Sequence, residues 1–410
     1  MRRLPPAPPS LYLLMTSATL RLVLLVSCAH ALVHVYELAF PSVETLIAGE
    51  YFPDNPEQGK RVMGYMGSCW RIPFGMGALL AGLLVDKFGA KWLLVGYLLG
   101  CATTSVIAWA APDLAVLFVT MFAMGTCASI YHPAGLSLIS RETAPQDRTR
   151  ALGYHGIFGS LGIAAAPLLA GVVLEVLDWR QYYLILAIPG ILLAGLIALL
   201  LVEHHRIAAR NGAAPPPADP GDWKAFFILT ISGTLSGLVY AALMNFLPRY
   251  LENVDLGITD IAARSRKNYF AGGVLLVGVA GQYLAGKIGR VERLERQLAM
   301  VLFGTLPLLI AMGYAEGNQR LWAVGAVSFV LFMQQPLYNS LVAQYVPLHR
   351  RSVGYGFSNT VAFGVGGLGA TYAGLFTSDR LVYSSLAGFV FAAGLVALWL
   401  DRQKRLKQAP

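Results

Sequence analysis

Apolar runs long enough to cross a lipid bilayer recur from one end of this chain to the other. "LLVGYLLGCATTSVIAWAA", "YYLILAIPGILLAGLIALLLV" and "GFVFAAGLVALWL" are three of them. A helix of about 20 residues spans a hydrocarbon core of ~30 Å. Inside that core no water satisfies backbone N–H and C=O groups, so only helices and closed β-barrels can span it. A barrel strand would alternate apolar and polar residues over shorter segments, and these runs do not alternate. Charged residues make up only 13% of the 410 and hydrophobic ones 56%, against about 25% charged in soluble domains. The runs therefore predict an all-α polytopic membrane protein.

Twelve spans are predicted, at 18–49, 62–84, 92–111, 114–138, 150–176, 181–202, 224–250, 268–286, 297–315, 321–345, 352–376 and 381–401. The first is over-long and contains Pro41, so a bend is expected in its outer end. The opening "MRRLPPAPPS…LRLVLLVSCAHA" has the form of a signal peptide: two arginines, an apolar core and a small-residue "AHA". Its apolar run continues through "LVHVYELAF", which favours an uncleaved first helix. With the N-terminus in the cytoplasm, 21 of the 31 Lys and Arg fall on the inner side, as the positive-inside bias requires. Both termini are therefore expected in the cytoplasm, and the protein in a bacterial inner membrane. The net charge of +9 then orients the chain and meets anionic lipid; no nucleic-acid partner is expected. The segment "EHHRIAARNGAAPPPADPGDWK", 203–224, reads as a linker. It divides the chain into an N-terminal bundle (1–202), a cytoplasmic linker (203–223) and a C-terminal bundle (224–410). His204 and His205 fall in it and read as solvated. The four cysteines, at 28, 69, 101 and 127, have no metal or disulfide spacing and read as small core residues.

The two halves echo each other about 200 residues apart. "GLLVDKFGAK" (82–91) is matched by "QYLAGKIGR" (282–290), and "HPAGLSLISR…ALGYHG" by "QPLYNSLVAQ…SVGYGFS". Lys87 thus corresponds to Lys287, Gly89 to Gly289 and Pro133 to Pro336. Parallel six-helix repeats around a central site suit alternating access.

The pattern Gly82-x-x-x-Asp86-Lys87-x-Gly89-x-Lys91, between spans 2 and 3, resembles the signature loop of the major facilitator superfamily. Glycine there would let the helix end approach its neighbours, and Asp86 could cap a helix N-terminus. "GIAAAPLLAG", from Gly162 through Pro167 to Gly171, is similar to the glycine–proline motif linked to proton antiporters of that superfamily. With "SCAHALVHVYELAF" and "GTCASIYHPAG", it resembles the fosmidomycin-resistance-type exporter branch. The resemblance implies two six-helix bundles, gating by these motifs and a proton gradient as energy source, with no cofactor.

An ionisable side chain within a span is expensive and usually faces a cavity or a partner. The first half holds His30, His34, Glu37, Arg71, His132, His155 and, near a span end, Glu175. His30, His34 and Glu37 share one helix face. Arg71 lies roughly 15 Å in from the outer end of span 2 at ~1.5 Å per residue, where it can meet Glu37. His132 and His155 are expected as neighbours on adjacent helices. These six are candidates for proton coupling or substrate contact. Neutral histidines bonded to a carbonyl freed by proline, beside a structural Glu37–Arg71 pair, would serve packing alone. The second half instead offers Tyr240, Asn245, Gln334, Gln335, Tyr338, Asn339, Ser358 and Asn359 as neutral partners for a substrate. Arg249 reads as an interfacial anchor.

No nucleotide-binding loop, HExxH or cysteine cluster is present. No enzyme activity and no metal site is expected, and transport would draw on an ion gradient. The first expectation is a monomer exporting a small amphipathic or anionic compound in exchange for protons. Proton-coupled uptake of an organic anion uses the same residues. A non-transporting sensor on this scaffold is the third reading.

Overall fold

The computed structural model describes residues 16–203, 220–347 and 350–408. Most of the linker, with His204 and His205, lies outside the described residues, as does the Asp86 side chain.

The described chain is helical throughout its spans. The helices are α1 (Ser17–Tyr51), α2 (Pro56–Phe88), α3 (Ala90–Trp109), α4 (Leu114–Ala128), α5 (Tyr131–Glu142), α6 (Pro145–Leu174) and α7 (Trp179–Leu200) in the first half. The second half has α8 (Trp223–Tyr250), α9 (Ala263–Ile288), α10 (Leu294–Tyr314), α11 (Gln319–Phe332), α12 (Gln334–Tyr345), α13 (Arg351–Asn359), α14 (Leu368–Gly374) and α15 (Asp379–Gln408). Among the described residues, 11 helical segments are long and apolar enough to cross a membrane; α13 to α14 supply the twelfth crossing in pieces. Short polar residues start the helices where the chain turns back. Asn55, Asp113 and Asp222 accept from the backbone of Gln58, Val116 and Ala225, and Asp178 forms a capping box with Gln181. One face of the molecule carries the described chain ends and the described residues on either side of the linker; the opposite one is here called the far face.

Three predicted spans are interrupted. Span 4 breaks at Ser129-Ile130 into α4 and α5, and span 10 breaks at Met333 into α11 and α12. In each, the proline is the third residue of the second piece: Pro133 in α5, Pro336 in α12. A proline cannot donate to the preceding turn, and both bundles place that lost bond at the same register. Span 11 is α13, a π-helical turn at Thr360–Val365 and α14. Gly354, Gly356, Gly364, Gly366 and Gly367 crowd this run, and glycine favours a regular helix poorly. By contrast α1 continues without a break past Pro41.

The two six-helix bundles meet along α2. The Ser68 hydroxyl donates to the Gly367 carbonyl at 2.8 Å and accepts from the Thr371 amide at 3.0 Å. A Cβ at Gly64 would lie 3.0 Å from Gly374 Cα, and one at Gly75 would lie 2.5 Å from Gly364 Cα. Without a hydrophobic drive between helices in lipid, small residues of this kind let backbones pack closely.

Toward the far face the bundles are clasped by charge. Arg249 donates from Nε and Nη2 to both oxygens of Glu44, at 2.9 and 2.6 Å, and the Glu44 side chain is fully buried. Arg249 is thus a cross-bundle partner and not the interfacial anchor that its place at a helix end predicts. Lys267 on α9 donates to Thr45 at 2.5 Å and to Glu252 at 2.7 Å, and Asn268 Nδ2 donates to the Ser42 carbonyl at 3.0 Å. Glu44→Gln and Arg249→Gln should each lower the thermal stability of the purified protein. The double variant should cost less than the sum, by about 1–3 kcal/mol of coupling. Strict additivity in that cycle would show that the pair does not hold the bundles together.

Candidate functional site

α1 turns His30, His34 and Glu37 to one side, and α2, α5, α6 and α8 close around them. Arg71 on α2 donates from Nη1 to Glu37 Oε1 at 2.5 Å, and His34 Nδ1 donates to Glu37 Oε2 at 2.7 Å. Glu37 is 2% exposed and Arg71 3%, so the carboxylate is clamped between two donors out of solvent. An ion pair is retained at such depth only where partners satisfy it closely. The guanidinium also lies 5.5 Å from the Tyr240 ring of α8, which carries the cluster across to the second bundle. Its Nη2 has no hydrogen-bond partner.

The four membrane histidines form one group. His30 stacks on His155 with ring centroids 3.9 Å apart, and its Nδ1 bonds the His155 carbonyl at 2.7 Å. His132 sits edge-on to His30 at 5.3 Å and tilted to His34 at 5.8 Å. The expected nearness of His132 to His155 is therefore mediated by His30, which lies between them. Tyr131, beside His132 in sequence, donates to the Val26 carbonyl at 2.8 Å and also bonds His155 Nε2 at 3.0 Å. Phe74 covers His132 at 5.8 Å and meets Phe363 of the second bundle at 5.7 Å, forming an apolar lid over the imidazoles.

The neutral second-half residues are less tightly grouped. Tyr240 faces Arg71, and Asn245 is fully buried with its amide unpartnered, against Gly67 of α2. Tyr338 bonds Ser358 at 2.8 Å. Gln335 accepts from Gln282 at 2.9 Å, and Gln282 in turn accepts from Ser160 of the first bundle. Gln334 is buried with Nε2 unpartnered. Asn339 is exposed, its carbonyl taking the Tyr355 hydroxyl at 2.9 Å, and Asn359 is half-buried. A separate cleft of about 280 Å³ opens between the bundles, lined by Lys60, Phe246, Arg249, Arg320 and Asp379.

At the loop after α2, Gly89 has φ +82°, a conformation that glycine adopts without strain. Gly82, expected to permit a close approach, has no neighbouring atom within 4 Å of a Cβ position; it lies on an open helix side. The N-terminus of α3 is capped by Glu203, which accepts from the Ala90 and Lys91 amides at 3.0 and 2.9 Å. Lys87 and Lys91 extend over Phe88 and Trp92, each 5.2 Å from the ring. In α6, Gly162 packs against the Ala31 backbone and Gly171 against Tyr269 of α9, with Pro167 between them inside the helix. Cys101 is buried as expected, but Cys28 is exposed, because it lies on the side of α1 opposite His30.

Comparison with known proteins completes the assignment. Residues 38–371 match the Major Facilitator Superfamily. The chain is 34% identical over 140 residues to a puromycin resistance protein of Streptomyces alboniger, covering 34% of this chain and 28% of that protein's length. It is 27% identical over 368 residues to the 3-(3-hydroxy-phenyl)propionate transporter of Escherichia coli K12, covering 85% and 87%. Its fold superposes on a bacterial homologue of the human lysosomal transporter Spinster with a TM-score of 0.71 at 15% identity, covering 94% of this chain and 98% of the other. A chain whose described residues cross as helices in two repeated bundles, with a family match over most of its length, is a multi-pass membrane protein of transporter fold, and it belongs to the Major Facilitator Superfamily.

Proposed function

We propose that the protein exports a small amphipathic or anionic compound by alternating access, driven by the proton gradient across a bacterial inner membrane. The observation that carries this reading is Arg71. It is a buried guanidinium at mid-depth on the seam between bundles, with one amino group unengaged and an aromatic face from the opposite bundle beside it. Such a group can hold an anionic head while an apolar body contacts Phe74 and Phe363. Glu37 holds Arg71 in place when no anion is present. The histidines line the route beside the pair, and the proposed substrate contacts in the second bundle are Tyr240, Asn245, Gln334, Gln335, Tyr338, Asn339 and Asn359. In this reading both termini lie in the cytoplasm, the far face is outward and the protein acts as a monomer. The contacts between bundles run along α2, from Gly64 and Gly374 toward the far face, through Gly75 and Gly364, to Leu79 and Gly356 on the inner side. The resistance-type relative supports export; the narrower fosmidomycin-type resemblance rests on first-half motifs alone.

Uptake of an organic anion is the second reading. It is favoured by the propionate transporter's match over most of both chains, and Arg71 would then take the carboxylate. Candidate compounds come from a thermal-shift screen of metabolites and antibiotics on purified protein. In proteoliposomes, an imposed pH gradient should drive a hit against its own concentration gradient, and a protonophore should stop it. Movement that ignores both would overturn proton coupling, and its direction separates export from uptake.

A further inference from the structure

We propose that His30, His34 and His132 form a binding site for one divalent transition-metal ion of the cobalt-to-zinc type. The site is additional to the transport reading and stands whether or not protons drive the carrier. One ligand-capable nitrogen from each of the three residues lies within 4.8 Å of the others. Metal–imidazole bonds of about 2.0–2.1 Å place the nitrogens of a tetrahedral site about 3.4 Å apart, so each ring moves inward by roughly an ångström to close the site.

The orientation of the rings is the stronger argument. His30 Nδ1 faces a carbonyl oxygen, that of His155. His34 Nδ1 faces a carboxylate oxygen, that of Glu37. Both acceptors lack a proton to give, so in each neutral ring the hydrogen sits on Nδ1 and the lone pair on Nε2. Metal-bound histidines are held this way, the remote N–H donating to a carboxylate or backbone carbonyl. His132 Nε2 is buried with no hydrogen-bond partner. A buried nitrogen left without its bond is destabilising, and a metal ion would satisfy it. The packing alternative, a histidine bonded to the carbonyl that Pro133 frees, is not what the structure holds.

The donor set decides the class of ion. Three imidazoles suit zinc, nickel, cobalt or copper, whereas magnesium and calcium demand oxygen ligands. Three protein ligands leave a fourth position open. The ion would join α1 to α5 inside one bundle. In the second bundle the residue matching His132 is Gln335, so the site has no copy there.

The test uses full-length protein in detergent, without a polyhistidine tag and with His204 and His205 replaced by Gln. Metal-stripped protein is titrated with cobalt(II) chloride and followed by visible absorption and calorimetry. One equivalent should bind with the intense ligand-field bands of a low-coordinate site, displaced by zinc and untouched by magnesium. His132→Gln should lose this binding by a factor of about 100 or more, and Glu37→Gln, which removes the support behind His34, by about 10 to 100. His30→Gln decides the matter if His132→Gln does not yield folded protein. Absence of cobalt binding, or unchanged binding in the folded ligand variants, would overturn the site; transport and its pH response play no part in this readout.

Discussion

Glu37→Gln should abolish gradient-driven accumulation while leaving a folded, less stable protein. The amide can still accept one bond, but it no longer balances the charge of Arg71, whose side chain is 3% exposed. Removing one partner of a buried pair costs about 3–5 kcal/mol, because the remaining charge is uncompensated. That is roughly a hundred- to several-thousand-fold in any equilibrium that must restore the pair. The double variant Glu37→Gln with Arg71→Gln should recover much of the thermal stability, since no lone charge remains, yet should not recover transport. Accumulation at wild-type level in Glu37→Gln would sink the assignment. Recovery of transport in the double variant would reduce the pair to a structural role.

Gly75→Ala should act on the seam with comparable force. Its Cβ would overlap Gly364 N and lie 2.5 Å from Gly364 Cα. The obstacle is backbone, so no side-chain rotation relieves it. Overpacking of this kind costs about 1–3 kcal/mol or more, and here the bundles can escape it by parting. The far face should therefore open and transport should fall to background. Asn245→Cys reports this in a background where Cys28, Cys69, Cys101 and Cys127 are replaced by Ala. Position 245 is fully buried in the closed seam and should react with an impermeant thiol reagent only when Gly75→Ala is present. Gly96→Ala, a site with no atom within 4 Å, should leave both transport and labelling unchanged. Labelling that does not rise in Gly75→Ala would show that the seam yields elsewhere.

Much of the architecture was legible because lipid leaves a chain few choices. A long apolar run with no alternation has to be a helix, and the repeat puts Pro133 and Pro336 in matching positions, where the structure breaks both helices. Glu37 and Arg71 could be paired by counting depth alone. The clasp between Glu44 and Arg249 could not. Arginine at a helix end reads as an interface anchor, and the carboxylate that claims it lies 205 residues away in sequence, so only the docking of bundles reveals it. The π-helical turn was hidden for a related reason. Its glycines signal a weak helix, but the form the weakness takes is set by α2 pressing on it. Cys28 and Gly82 failed in the opposite way: small residues in apolar runs look like packing positions, and the two point outward here.

The turn at Thr360–Val365 also distinguishes the two bundles. A π turn carries an extra residue per hydrogen-bonded ring and is frequently found at functional sites. Its counterpart α6 runs as one helix from Pro145 to Leu174. The first bundle, which holds the charges, keeps this crossing as one helix, and the second, nearly free of charge at mid-depth, interrupts it. Gly364 lies inside the turn and against Gly75, one helical turn along α2 from Arg71. Arg71 itself lies against Gly367, just past the turn, so the charged centre of one bundle abuts the one π-helical turn of the other among the described residues.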